Sequence, residues 1–144
     1  MRTIYSEQAA TDLANRLTDP NTQLYWLERD LGTGGQALLR RAVEIAQLEV
    51  REIQLDLCYP IDLEDVFSKL PDKPGVIILN NYDKSDMFVV SLITFTMLYY
   101  EYRRMLSLEV DSISISPKWK FIITTAPGAW INTPALHQRL CKIA

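Results

Sequence analysis

Gly75-Val76-Ile77-Ile78-Leu79 is an unbroken apolar run of strand length, and Trp119 to Thr125 is a second, nearly as apolar. A strand with one face in water alternates apolar and polar residues. A strand buried on both faces, as in a parallel sheet, does not. Two such strands demand a layer of structure on each side of the sheet, and the intervening segments have helical spacing. Ser6 to Leu17 carries Ala9, Ala10, Leu13, Ala14 and Leu17, with Ser6 as its N-cap. Gln36 to Gln47 buries Leu38, Leu39, Ala42, Val43, Ile45 and Ala46.

Further strands are expected at Gln23–Glu28 and Val50–Leu57, the latter ended by Pro60. Asp62 is expected to cap a short helix with Leu63, Val66, Phe67 and Leu70 on its apolar face. Ser85 or Asp86 caps a long helix to about Met105, Leu106–Ser116 reads as an extended excursion or hairpin, and a closing helix starts at Ala135. Helices and strands thus alternate along the chain. This pattern predicts an α/β three-layer sandwich with a mainly parallel sheet, built as a single domain over residues 1–144.

Composition narrows the function classes. A hydrophobic fraction of 48% supplies a full core, while a net charge of -3 and a pI near 5.1 give no general attraction to nucleic acid. Arg40, Arg41, Arg103 and Arg104 could still make a local basic patch, and Tyr99, Tyr100 and Tyr102 beside the last two could stack on bases or line a groove. Cys58, Cys141 and the single His137 have neither zinc spacing nor a disulfide framework. The two cysteines read as small core residues, and an intracellular, cytoplasmic setting is expected. No signal peptide is visible. The longest apolar stretch, Met87–Tyr100, is shorter than the roughly 20 residues that cross a bilayer, so no membrane association is expected.

Between the first strand and the second helix lies Gly32-Thr33-Gly34-Gly35-Gln36. A strand, a glycine turn and a helix form the scaffold of a phosphate-binding loop, in which a lysine and a hydroxyl residue touch phosphate and magnesium. Against Gly-x-Gly-Lys-Thr, Gly35 stands at the lysine position and Gln36 at the hydroxyl position. The backbone N–H groups of such a turn can still hold an anion at the helix N-terminus, and the same turn can equally serve as a tight connection without a ligand. Glu28 and Asp30 add negative charge beside it.

Three segments in order resemble the nucleotide-binding core of AAA+ ATPases, including the superfamily-three helicases of small viruses. The glycine turn occupies the Walker A position. Val76-Ile77-Ile78-Leu79-Asn80-Asn81 is similar to a Walker B strand, with Asn80 and Asn81 at the places of its Asp and Glu. Lys120-Phe121-Ile122-Ile123-Thr124-Thr125 resembles the sensor-one strand, with Thr124 or Thr125 at the polar position, and Ala135–Leu140 resembles the helix that brings an arginine, here Arg139, to a neighbouring subunit. The resemblance covers roughly residues 20 to 144 and includes no helical lid. It implies a P-loop NTPase-like fold whose chemistry has been lost. Asn80 is a poor magnesium ligand, Asn81 cannot accept a proton, and the phosphates lack the lysine. Asp83 could be a displaced carboxylate or a solvated turn residue.

The resulting expectation is an inactive AAA+-like domain, a pseudoenzyme without catalytic residues, bound metal or cofactor, with ATP disfavoured. It would work through a protein partner or self-association in a DNA replication, transposition or remodelling assembly. The expected interface combines Trp130 in the loop 126–134 with Arg139. Alternatives are a weakly active or nucleotide-binding NTPase with an atypical loop, and a small nucleic-acid-binding module.

Overall fold

The computed structural model describes residues 6–19, 22–28, 35–106, 119–129 and 134–143. Helix α1 spans Glu7–Leu17, and Ser6 Oγ accepts the Ala9 N–H at 3.0 Å as its cap. Strand β1 is Leu24–Glu28, helix α2 is Gly35–Ile45 and strand β2 is Glu49–Gln54. A 3-10 turn at Leu55–Leu57 leads to helix α3, Pro60–Ser68. Strand β3, Gly75–Asn80, is buried throughout. A second 3-10 turn at Tyr82–Lys84 precedes helix α4, Met87–Leu106. Strand β4 is Trp119–Thr125, also wholly buried, and helix α5, Pro134–Arg139, leads to strand β5, Cys141–Ile143.

All five strands are parallel, in the order β2-β3-β4-β1-β5. The register sets Ile77 beside Phe121 and Tyr25 beside Ile122. Side-chain alternation divides the sheet into two cores. Leu24, Trp26, Ile77, Leu79, Phe121 and Ile123 pack under α3 and α4, where Leu63, Val89, Ile93 and Met97 meet them. Tyr25, Leu27, Val76, Ile78 and Ile122 pack under α1 and α2 through Leu13, Leu17, Leu39 and Val43. Each such side chain contributes about 1.5–3 kcal/mol on burial, so the central strands β3 and β4, buried throughout, have no water-facing side to tolerate polar substitution. This is the expected three-layer sandwich.

Several local expectations are corrected. The second strand stops at Gln54, because the chain tightens into a 3-10 turn that buries Leu55 and leaves Leu57 exposed. Pro60 opens α3 rather than only closing the strand, since proline lacks the N–H that a first helical residue cannot use. Asp62 sits one turn inside that helix and reaches back, accepting the Tyr59 N–H at 2.8 Å. Of the two caps proposed for α4, Asp86 is the one used, accepting the Phe88 N–H at 2.8 Å. Cys58 and Cys141 are half-buried rather than core. The fifth strand was not foreseen. The proposed excursion beyond Leu106 lies outside the described residues.

Gly75 answers to a distant residue. A Cβ there would lie 2.5 Å from the Trp119 ring, which is fully buried and fixed by its Nε1–H donating to the Pro71 carbonyl at 2.8 Å.

Candidate functional site at the carboxyl edge of the sheet

Parallel strands joined by right-handed crossovers bring their carboxyl ends to one edge, where α/β folds bind ligands. Leu27, Ile78, Asn80 and Thr124 converge there from β1, β3 and β4, on the face covered by α2. Glu52 from β2 and Leu39 and Arg40 from α2 complete a small cleft. Gly32, Thr33, Gly34 and Trp130 lie outside the described residues, as does the side chain of Gln36. Gly35 is the first residue of α2.

The polar centre of the cleft is a relay of three side chains. Thr124 Oγ1 donates to Asn80 Oδ1 at 2.8 Å, and Asn80 Nδ2 donates to Glu52 Oε1 at 2.6 Å. Asn80 and Thr124 are buried, and Glu52 is exposed. The Asn81 N–H donates to Thr124 Oγ1 at 3.3 Å, tying the end of β3 to β4. Asn81 itself is left-handed, with φ 61°, a conformation that asparagine adopts more readily than most residues. Its side chain turns toward β2, where Nδ2 donates to Asp56 Oδ1 at 3.1 Å and to Gln54 Oε1 at 3.4 Å. The two asparagines are therefore split, one in the cleft and one at the end of β2.

The two threonines are split in the same way. Thr124 faces the cleft. Thr125 lies on the other side of the sheet, accepting the Trp26 Nε1–H at 2.9 Å and donating to the Ala126 carbonyl at 3.0 Å. Asp83 is a brace between loops, with Oδ2 accepting the Ala126 N–H at 3.3 Å. On that side Glu28 accepts the Gly128 N–H at 2.9 Å and a hydrogen bond from Lys142. The Lys142 bond chiefly, then the Gly128 bond, holds the Glu28 carboxyl below its usual range. Lys142 Nζ also lies 5.0 Å above the Trp26 ring, whose edge meets His137. Arg139 is exposed at the end of α5.

The basic patch is not assembled by α2. Arg41 turns to Glu7 and Glu44, while Arg40 points into the cleft lining. The side chains of Arg103, Arg104, Tyr99, Tyr100 and Tyr102 lie outside the described residues.

A magnesium–nucleotide pair needs a free oxygen ligand at the end of β3 and a cation at the phosphates. Asn80 offers an amide whose oxygen already accepts from Thr124 and whose nitrogen points at Glu52. Lys120, on the cleft face of β4, is at the opposite end of the sheet, donating to the Asp19 carbonyl and to Tyr25 Oη. Asn80, engaged in this way, is a poor match for the metal ligand at the end of β3. Among the described residues no group of three or more His, Cys, Asp or Glu could hold a metal ion, and no helix is long and apolar enough to cross a membrane.

Glu52 is the member of the cleft that sequence reasoning missed. Its signal was present, since it shares strand parity with Val50 and Gln54, both two residues away.

No family model matches the sequence, and no curated protein matches it. Solved structures do. RuvB of Thermotoga maritima, a Holliday junction branch migration motor, superposes with a TM-score of 0.64 at 15% identity over 96% of this chain and 45% of that one. Two point mutants of the same protein give TM-scores of 0.64 and 0.67 at 13% and 14% identity, covering 95% and 97% of this chain and 43% and 45% of theirs. The fold is similar to that of the RuvB chains. At this identity the likeness is one of architecture, and the chain spans under half the length of the RuvB chains it matches.

Proposed function

We propose that this chain is an AAA+-like domain that does not turn over nucleotide and acts as a protein-interaction or regulatory module, within a DNA-processing assembly such as replication, transposition or remodelling. The observation that carries the reading is the Thr124–Asn80–Glu52 relay. At the position where the fold family places a metal-binding carboxylate, the chain has an amide that its neighbours use on both sides. Gly35 and Gln36 in place of a lysine and a hydroxyl residue support the same conclusion. The interaction surface we assign to this function comprises the loop 126–134 with Trp130, and Arg139 on α5. Tryptophan and arginine are the residue types most often found as interface hot spots.

Two measurements test the reading. Calorimetric titration with magnesium–ATP and a steady-state phosphate-release assay should both give no signal above buffer. Turnover that disappears on Gly34→Val would refute the loss of catalysis. Trp130→Ala with Arg139→Ala should weaken self-association or partner binding with little change in melting temperature. Normal assembly by that double variant would move the interface elsewhere.

A further inference from the structure

The largest apolar exposure of the described residues does not belong to the cleft. Leu57, Tyr59, Ile61, Met87, Phe88 and Phe95 are each between 66% and 79% exposed. They fall on two adjoining places. Leu57 and Tyr59 lead into α3 and Ile61 is its second residue, and Met87 and Phe88 form the first turn of α4, with Phe95 two turns further along the helix. Both helices cover the same face of the sheet, and both begin at its carboxyl edge after the adjacent strands β2 and β3. Asn81 pins the two helix approaches together through its bond to Asp56. None of these six side chains belongs to either core. Their neighbours Cys58, Leu63, Val66, Val89 and Ile93 make the core contacts of the same elements.

We propose that the joined N-terminal ends of α3 and α4 form a docking surface for a basic amphipathic segment of another protein. Two observations select that occupant. The first is size. Six large side chains exposed to this degree present roughly 800 Å², more than the roughly 300–600 Å² of the largest patch on an ordinary monomer and close to one side of a standard interface. The second is charge. Residues 55–62 and 82–88, which lead into the two helices, carry Asp56, Asp62, Asp83 and Asp86 against the single cation Lys84. All four aspartates are exposed and stand around the apolar side chains. A second copy paired through the same face would set aspartates against aspartates, on a chain already at net charge -3. An apolar helix face flanked by lysine or arginine satisfies both the patch and its rim. Its apolar side chains include none of the residues 126–139, although the rim residue Asp83 accepts the Ala126 N–H, so its apolar contacts are tested separately from the interface assigned above.

Fluorescence anisotropy with two labelled synthetic peptides provides the test. One is an amphipathic helix with leucine and phenylalanine on one face and lysines at its flanks. The other has glutamate at every lysine. The lysine peptide should bind about tenfold or more tighter than the glutamate peptide, and less tightly as salt rises. Tyr59→Ser with Phe88→Ser should weaken it by about tenfold or more while the melting temperature holds, because both side chains are exposed. Leu57→Ser with Met87→Ser gives an independent reading if the first pair disturbs folding. Equal binding of the two peptides, or unchanged binding by both variants, overturns the proposal. So does sedimentation showing wild-type dimers that the variants dissolve, which would make the occupant a second copy. Flotation of the wild type with zwitterionic vesicles, lost in the variants, would likewise overturn it in favour of a lipid surface.

Discussion

Replacing Asn80 by aspartate tests why an amide stands at the end of β3. The side chain is 1% exposed, its Nδ2 is 2.6 Å from Glu52 Oε1, and its Oδ1 is 2.8 Å from Thr124 Oγ1. Asn80→Asp preserves the shape and the acceptor offered to Thr124, but sets an oxygen where Glu52 needs a donor. Two costs add. A hydrogen bond to a charged acceptor contributes about 1.5–3 kcal/mol. Two like charges about 4 Å apart repel by about 4 kcal/mol at an effective dielectric near 20 and by about 1 kcal/mol in water. Glu52 is exposed and can swing outward, which puts the repulsion near the lower value. The expected loss is therefore roughly 3 kcal/mol at pH 8, or a fall of about 6–12 °C in melting temperature for a chain of this size.

The pH dependence of that loss separates this cause from simple misfit. The introduced carboxyl has its folded pKa raised above the unfolded value of about 3.9, so the folded state holds a proton that the unfolded state releases. The deficit relative to wild type should be smallest near pH 4, where the protonated group donates to Glu52 as the amide did. It should grow as pH rises through the raised pKa and level off beyond it. Urea unfolding of both proteins across this range measures it. Adding Glu52→Gln to Asn80→Asp should recover most of the loss at pH 8, since the glutamine nitrogen donates to the new carboxylate. A deficit that is the same at pH 4 and pH 8, or one that Glu52→Gln leaves untouched, would show that Glu52 does not hold Asn80, and the reasoning would fail.

Three other outcomes follow from the packing. Gly75→Ala should cost about 3 kcal/mol in urea unfolding, because its Cβ would sit 2.5 Å from a Trp119 ring that cannot retreat; a loss under about 0.5 kcal/mol would contradict this. Burial, and then Cys141 and Asp19, push the Tyr25 phenol above its ordinary 10.0. Folding therefore favours the protonated phenol, and its contribution is complete below about pH 10 and lost as pH rises further. Tyr25→Phe should flatten the alkaline limb of the stability curve, and an unchanged limb would refute the assignment. Glu28 has the opposite sign, because its carboxyl is depressed by Lys142. Its contribution is present above its ordinary 4.5 and lost as pH falls through the lower folded value, so Lys142→Met should weaken the acid-limb dependence seen by thermal unfolding.

A continuous apolar run made β3 readable, and the Phe121-Ile122-Ile123 run did the same for β4, although Lys120, Thr124 and Thr125 are buried in it as well. The helix cap at Ser6 was readable for a similar local reason, a short acceptor placed before a periodic segment, which for α4 narrowed the cap to Ser85 or Asp86. What escaped depends on contacts distant in sequence. β5 is only three residues, Cys141-Lys142-Ile143, and is a strand because β1 has a free edge beside it. Leu55 and Leu57 continue the alternation of β2, yet the chain turns there, burying Leu55 in the same core as Ile53 and leaving Leu57 exposed. Asn80 ends β3 and Asn81 follows it. Alternation alone sets neighbouring side chains on opposite faces; that Glu52 is the one to reach Asn80 depends on the register of β2 against β3. The need for glycine at position 75 comes from Trp119, 44 residues later.

The position of β1 in the sheet has a consequence for how the chain emerges from a ribosome. Among the described residues β1 pairs only with β4 and β5, whose residues begin at Trp119. A nascent chain released as far as α4 can form the β2–β3 pair and can dock α1 on α2, but Leu24 to Glu28 has no strand to meet. Pairings this distant in sequence carry a large loop-closure cost and form slowly. Throughout that interval the chain presents an apolar strand with both edges open, beside β3 with one edge open, and such edges recruit other chains. Expression yield should therefore respond more to translation speed and chaperone supply over the last quarter of the chain than the stability of the finished sheet would suggest.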